Sequence, residues 1–505
     1  MPLDAVLRMR AERTGSDPFL EFGRAPHKGL TISWSELDER ADAAAGVFAM
    51  RGISTHDRVG VVLEDTPECL AAIIGLWRLR AVLVPIDRRW GTQTTQTICA
   101  HAGMRAIVAA GDFIARLGAD LGDALRIDVE EVEGHRGERR QLLSRPEDVA
   151  IIAYTSGTTS SPKGVVIRHS QLRWAYSIAR RHLFAGEPPR RFGNVFRMGG
   201  LGVLGLNYLF PLECGSAVVA LPELSIETAA TLWRDVDEAQ VDFLYLVPTL
   251  VQVVVRLSRA VSPSARVDCV TGAAPISPEL HDSFHNRFGH RLRNIYGISE
   301  ASFGVFYGAY DGTDRGAWHL GKPATPITVR LRAPDGGLIE GPGAGELEVN
   351  GPVLSDGYWR NEAATHERFV DGWLRTGDVA ARDAEGNYTI VGRLKDVVIR
   401  GGFNIHLDEV DQTLASHPQV LGACAIGTDT AGVDEGLSAL VHTAAGAPVT
   451  AGDLADWCRQ RLGPAKTPSP IILTHDPLPQ NSSGKVVRRD VAALVRALSA
   501  PGRGF

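Results

Sequence analysis

Six separated segments carry residue types suited to one kind of chemistry, the handling of a polyphosphate. The first is TSGTTSSPKG at 155–164. It offers the hydroxyls of Thr155, Ser156, Thr158 and Thr159, the free backbone N–H groups around Gly157, and one lysine, Lys163. Polyphosphate oxygens need many donors and a mobile positive charge, and this loop supplies both. It is not a Walker A loop, since it has no GK[ST] ending and no helix opening at the lysine. Taken alone it reads equally well as a polar surface hairpin, because Ser/Thr/Gly clusters between strands are usually turns.

Five distant segments bear on that choice. VTGAAPIS (270–277) is a strand running into a small-residue turn, Gly272, Ala273 and Ala274, against which an adenine could lie. NIYGISE (294–300) sets Tyr296 beside Gly297, followed by Ser299 and Glu300. A tyrosine can stack on a base, and an acid can hold magnesium, a hard cation that prefers oxygen ligands. LRTGD (374–378) ends in Asp378, an acid able to hold ribose hydroxyls. GRLKDVVIRGGFNI (392–405) holds Arg393, Lys395, Asp396 and the pair Gly401-Gly402, and NSSGK presents Lys485. Lysine and arginine can neutralise phosphate charge. Each segment alone has an ordinary reading as a turn, a cap or a solvated charge. Together they hold the parts of an ATP site.

Positioning these residues requires a regular frame, and the sequence supplies one. Residues 33–52 read as a helix with a Ser33/Glu36 capping box, an apolar face of Leu37, Ala41, Ala44 and Phe48, and a stop at Gly52. Strands are expected at 59–64, 81–86 and 106–110, with helices at 67–80 and 94–103 between them. This alternation predicts a parallel, doubly wound sheet. Weaker versions recur at 216–248 and 265–296. The phosphate-type loop lies between two apolar runs, VAIIAY (149–154) and VVI (165–167), and so between two strands. After about 320 the texture turns β-rich, with a hairpin around Glu385-Gly386-Asn387. Beyond Lys395 it becomes α+β, with helices at 406–417 and 450–462. A boundary near 393–396 divides the chain into 1–394, whose β-rich part spans about 320–394, and 395–505.

The bulk numbers restrict the class. A chain of 505 residues, 44% hydrophobic and 22% charged, is a soluble globular protein of more than one domain. With 53 basic against 59 acidic residues, the net charge of −6 argues against nucleic-acid binding as its main task. The six cysteines are scattered, so buried thiols are expected in place of a zinc site or disulfides. No run is long and apolar enough to span a bilayer, and the first residues carry no leader-type segment, so a cytoplasmic protein is expected. His281 and His285 stand four apart, but no third metal ligand is evident and a solvated helix face is the expectation. The sequon-like NSS at 481–483 has a better use as the turn that presents Lys485.

In all six segments, in the same order and over nearly its whole length, the chain resembles the ANL superfamily of adenylate-forming enzymes. These are acyl- and aryl-CoA synthetases, peptide-synthetase adenylation domains and luciferases. The resemblance implies an α/β fold: a large N-terminal domain of two doubly wound sheets plus a β-barrel, then a small mobile α+β domain. It implies ATP, Mg2+ and coenzyme A as ligands, with a small carboxylic acid as substrate. By resemblance, Thr155–Thr159 and Lys163 wrap the β- and γ-phosphates. Gly272, Ala273 and Ala274 line the adenine, and Tyr296, followed by Gly297, stacks on it. Ser299 touches the α-phosphate, Glu300 holds Mg2+, Asp378 binds the ribose hydroxyls and Arg393 reaches ribose or phosphate. Lys395 takes the hinge position and Lys485 that of the catalytic lysine of the mobile domain. Gly401 and Gly402 leave room for pantetheine, and GGFNI resembles a CoA ligase more than a peptide-synthetase domain.

Three departures stand out. Ser160 replaces a usual glycine in the phosphate loop, and Ser299 replaces a usual threonine. Arg197 takes the place of a histidine or aromatic residue in the acyl pocket, where it could pair with the acyl carboxylate, orient it or bind CoA; the alternative is an arginine pointing to solvent. Beside it, Gly199 and Gly200 leave volume, and with apolar neighbours up to 208 they suggest a medium to bulky hydrophobic acid. The departures keep open a ligase that only converts a supplied acyl-adenylate, made by a partner adenylating enzyme, to the thioester. A loader of an acyl carrier protein in trans is a further alternative. Nothing points to luciferase-like oxygen chemistry, and retention of both lysines and both acids argues against a non-catalytic binding module.

Overall fold

A computed structural model describes the chain apart from residues 25, 118–123, 134–143, 155–162, 185, 259–266, 275, 291, 309–318, 401–402, 429–435, 482–483 and 500–505. The helix Trp34–Met50 opens on the expected capping box: Ser33 Oγ accepts from Glu36 N, and the Glu36 carboxylate accepts from Ser33 N. Its face of Leu37, Ala41, Ala44 and Phe48 is fully buried, and Gly52 follows at φ 76°. The apolar runs of the first alternation become strands Arg58–Leu63, Val82–Asp87, Ala106–Ala109 and Leu125–Asp128, parallel to one another. Val149–Tyr154 extends this sheet in parallel, and Gly164–Arg168 closes its edge antiparallel. Apart from the edge strand Leu125–Asp128, these strands are buried along nearly their whole length, which is why they read as near-continuous apolar runs.

A second sheet has eight strands. Its centre is parallel: Leu292–Gly297, Asp268–Gly272, Phe243–Leu246, Arg191–Asn194, Ala217–Ala220 and Pro18–Phe22. Antiparallel strands Gly304–Tyr307 and Thr31–Ser33 flank it. A third sheet is antiparallel and contains Thr328–Arg332, Gly343–Asn350, Trp373–Arg382, Tyr388–Arg393 and His319–Gly321, with Phe369–Val370 beside Trp373–Arg382. The hairpin expected at 385–387 is the turn between two of these strands. Among the described residues its pairing runs edge to edge without closing into a barrel. These three sheets share one continuous apolar core, with a second cluster on the outer face of the first sheet.

From Val397 onward the elements have cores of their own. Strands Val397–Arg400 and Phe403–His406 form a ribbon, and Val420–Thr428, Gly436–Thr443 and Ile471–Thr474 form a three-stranded sheet. Helices Leu407–Ala415 and Ala451–Leu462 pack on it, around Val398, Ile405, Leu414 and Leu454. Among the described residues no helix is long and apolar enough to cross a membrane, and all six cysteines are buried free thiols.

Candidate active site

Parallel sheets collect ligands at the carboxyl ends of their strands, and two neighbouring ends meet here. Register pairs Gly272, which ends its strand, with Ile295 on Leu292–Gly297. A Cβ on Gly272 would stand 2.6 Å from the Ile295 carbonyl oxygen, so only glycine lets the two backbones lie this close. The next residue, Ala273, is held at φ 66° and is exposed. A non-glycine residue in the left-handed region costs of order 1–3 kcal/mol, the kind of strain found at ligand clamps. The small-residue turn and Tyr296 are thereby neighbours.

The chain reverses sharply after Tyr296. A Cβ on Gly297 would meet the Phe303 carbonyl oxygen at 2.0 Å, so this reversal needs glycine. The single turn Ser299–Ala301 and Ser302 at φ 60° complete it before strand Gly304–Tyr307. The turn carries Ser299 and Glu300 together. The Glu300 carbonyl accepts from Ser355 N at 2.8 Å, and its Oε1 accepts from the Tyr358 hydroxyl at 2.6 Å.

Tyr358 is a site residue that the sequence reasoning missed. Segment 356–359 runs along the edge strand Gly164–Arg168: Asp356 N donates to Val166 O, Val166 N to Gly357 O, and Trp359 N to Gly164 O at 2.7 Å. That pairing lays the Tyr358 ring 5.3 Å from Lys163 Nζ, within cation–π reach. One buried tyrosine thus links the loop lysine to Glu300. No local signal marks it, because the contact joins residues far apart in sequence through strand pairing. Thr155, Ser156, Gly157, Thr158, Thr159 and Ser160, with Gly401 and Gly402, lie outside the described residues.

Asp378 and Arg393 are brought together by register, as directly opposed residues on Trp373–Arg382 and Tyr388–Arg393. Arg393 Nε lies 3.0 Å from Asp378 Oδ1, and the Tyr296 hydroxyl donates to Asp378 Oδ2 at 2.6 Å. Asp378 is 3% exposed, so both oxygens need these partners. Burial, then the Asp378 charge, push the Tyr296 hydroxyl well above its usual range, which keeps it a donor.

Lys485 comes from the other end of the chain. Its turn is closed by Asn481 N donating to Lys485 O at 2.9 Å and Lys485 N donating to Asn481 Oδ1 at 3.0 Å. Crowding by neighbouring atoms and the nearby Arg393 push its ammonium down to about 8, against the pull of Asp378, Asp408 and Asp396. Lys395 is exposed in the turn after Arg393, where desolvation and Arg393 lower its ammonium.

The structure does not bring Arg197 into this group. Its side chain is 78% exposed and pairs with Glu223 at 2.6 Å, while its neighbours Phe196 and Met198 are buried. A guanidinium turned inward among them would need a desolvated partner, and Glu223 in solvent is cheaper. Gly199 is buried and Gly200 half-buried ahead of the short helix Leu201–Leu204, while Gly202 faces solvent. Phe196 and Tyr245 form a ring pair 5.5 Å apart, with Met198, Val203 and Leu204 buried nearby. The two histidines are not on a solvated face: buried His281 bonds the Leu292 carbonyl through Nε2 at 3.0 Å, and His285 bonds the His290 carbonyl.

The donor chemistry fits a magnesium ion held jointly with phosphates. Among the described residues no group of three or more His, Cys, Asp or Glu forms a cage. Glu300 spends one oxygen on Tyr358, and the other takes no hydrogen bond among the described residues. One carboxylate plus phosphate and water oxygens is the usual magnesium set in nucleotide sites.

Two family models match the chain: "AMP-binding enzyme" over residues 7–359 and "AMP-binding enzyme C-terminal domain" over 409–485. A feruloyl-CoA synthase from Amycolatopsis sp is 29% identical over 496 residues, covering 96% of this chain and 99% of that protein. A sulfoacetate–CoA ligase from Cupriavidus necator is 27% identical, covering 96% of each. The ATP-bound crystal structure of MatB from Rhodopseudomonas palustris superposes with a TM-score of 0.85 at 25% identity, covering 98% of this chain and 99% of that one.

Proposed function

Since the chain belongs to the AMP-binding enzyme family, the ANL adenylate-forming enzymes, and is an AMP-forming acid–CoA ligase, we propose that its acid substrate is a hydrophobic carboxylic acid activated at Asp378, Tyr296, Arg393 and Lys485. ATP, Mg2+ and coenzyme A serve the reaction. In the first half, a carboxylate oxygen bonds to the α-phosphorus, the α–β phosphoanhydride breaks, and pyrophosphate leaves with the electron pair. In the second, the CoA thiol gives up its proton to solvent, its sulfur bonds to the acyl carbon, and the acyl C–O bond to AMP breaks so that AMP leaves with the electron pair.

The observation that carries this reading is the set in which Tyr296 hydrogen-bonds Asp378 and Arg393 ion-pairs with it, with Lys485 within electrostatic reach of both charges. Each carboxylate oxygen has two acceptor sites, so Asp378 can take ribose hydroxyls without losing Tyr296 or Arg393. Its bond to Tyr296 fixes the ring plane against which adenine stacks, over the turn of Gly272, Ala273 and Ala274. Lys485 offsets the negative charge of the substrate carboxylate and the α-phosphate, which otherwise repel. Lys163 and the loop before it hold the outer phosphates, and Ser299 reaches the α-phosphate. Glu300, oriented by Tyr358, would hold the magnesium ion, which would supply charge neutralisation for the leaving pyrophosphate. The hydrophobic substrate class rests on Phe196, Tyr245, Met198, Val203 and Leu204. Residues 395–505 act as the mobile part, turning about Lys395 so that the thiol can enter past Gly401 and Gly402.

ATP–pyrophosphate exchange, measured over aliphatic, aromatic and polycyclic acids beside the mass of the CoA thioester, tests this. At least one apolar acid is expected to give both signals. Lys485→Ala should cut exchange by roughly 10²–10³ and spare thioester formation from a supplied acyl-adenylate. Success of polar acids alone would sink the hydrophobic assignment. Robust thioester formation without exchange in the native chain would leave only the second half-reaction. Acylation of a phosphopantetheinyl carrier with no use of CoA would make it a loader.

A further inference from the structure

One helix of the large body touches the C-terminal part at three points, all on one face. The helix Pro248–Leu257 directs Thr249, Gln252 and Arg256 the same way, at spacings of three and four residues. Thr249 Oγ1 donates to the carbonyl of Gly484, the residue before Lys485, at 3.4 Å. Gly484 sits at φ 76°, and a Cβ there would stand 3.1 Å from Val247, so the lysine turn lies directly against the start of this helix. Gln252 is 5% exposed, and its Nε2 donates to the carbonyls of Ala415 at 3.2 Å and Val420 at 2.8 Å. Arg256 Nη2 donates to the His417 carbonyl at 3.1 Å.

The corner at 415–420 and the lysine turn are tied to each other through the helix Leu407–Ala415. Ala415 ends the helix Leu407–Ala415, whose last carbonyls have no partner within the helix. That helix also carries Asp408 and Asp411, which hold Arg488 at 2.6 and 3.0 Å, three residues beyond Lys485. Fixing the corner therefore fixes the lysine. Every acceptor on the far side is a backbone carbonyl. When the C-terminal part turns away, these carbonyls return to water and no charge is stranded, so the contact is suited to being made and broken.

We propose that Thr249, Gln252 and Arg256 form a docking rail that holds the C-terminal part in the orientation placing Lys485 beside Asp378 and Arg393. They are positioning residues for adenylation and not for thioester formation. The role in the two half-reactions rests on the function proposed above.

Gln252→Leu keeps the volume and removes both donors. The ratio of ATP–pyrophosphate exchange to thioester formation from a supplied acyl-adenylate should fall about tenfold, the effect of losing one or two neutral hydrogen bonds. Trypsin should also cut the substrate-free variant faster than the native chain at Lys395, in the exposed turn between the two parts. A thermal melt matching the native N-terminal transition shows that the large body is folded. Arg256→Ala should act in the same direction. An unchanged ratio, or no gain in cleavage, overturns the rail. If the native chain exchanges with no acid, the functional reading fails, and the cleavage comparison alone decides the rail.

Discussion

Lys485 is the residue on which pH should act. Desolvation and Arg393 hold its ammonium at about 8, below its ordinary 10.5. A lysine lowered by folding binds fewer protons in the native state than in the unfolded one. It therefore costs stability below about 8, and the cost is relieved as pH rises toward 10.5. Activity runs the opposite way, because adenylation needs the charge. The kcat/KM for exchange, which reports the free enzyme, should fall as pH rises through about 8. Lys485→Arg, if it retains activity, should move that fall upward; a native profile flat through this range would sink the assignment. The residues that the fold brings together were legible in sequence by type: an acid after a tight turn, a tyrosine before a glycine, a lysine in a terminal turn. Tyr358 was not, because its partners Lys163 and Glu300 reach it only through pairing of distant strands. Nor was the direction of Arg197, which is decided by Glu223 in solvent.

At the scale of elements, strand ends set where these residues stand, and Gly297 is the tightest of them. Its missing Cβ leaves room for the Phe303 carbonyl at 2.0 Å, so Gly297→Ala must displace the reversal that carries Ser299 and Glu300. A loss of about 1–3 kcal/mol is expected from such overpacking, together with weaker ATP binding through a shifted Tyr296. Gly202→Ala is the control: it lies exposed in a short helix with nothing within 4 Å of an added Cβ, and should melt at or above the native temperature. Equal melting of Gly297→Ala and native protein in denaturant titration would contradict the packing argument. The doubly wound alternation was legible because buried parallel strands read as apolar runs. The pairing of Pro18–Phe22 with Ala217–Ala220 was not, since no local pattern joins segments so far apart.

The described residues form separate apolar cores before and after the turn at 394–396, and in the later part Arg488 ties the helix Leu407–Ala415 to the strand Val420–Thr428. The sequence places a change of texture near 393–396, but nothing in it marks Thr249, Gln252 and Arg256, whose acceptors Gly484, Ala415, Val420 and His417 lie far along the chain. Arg488 is 20% exposed and reaches Asp408 and Asp411, while Asp411 also accepts from Ala425 N. Burial raises the Asp411 carboxyl to about 7, against the pull of Arg488. A carboxyl raised by folding binds more protons in the native state, so its contribution is present at low pH and is lost as pH rises toward about 7. Arg488→Leu removes the cation that bridges both acids. At neutral pH it should destabilise the C-terminal part by about 1–3 kcal/mol, less than the cost of breaking a fully buried pair because these side chains are about one-fifth exposed. Acidification should restore part of that loss by protonating the stranded carboxyls. Calorimetry is expected to resolve a lowered C-terminal transition beside an unshifted N-terminal one. A single transition moving as a whole would mean that the docking contacts, and not the separate cores, govern how the chain unfolds.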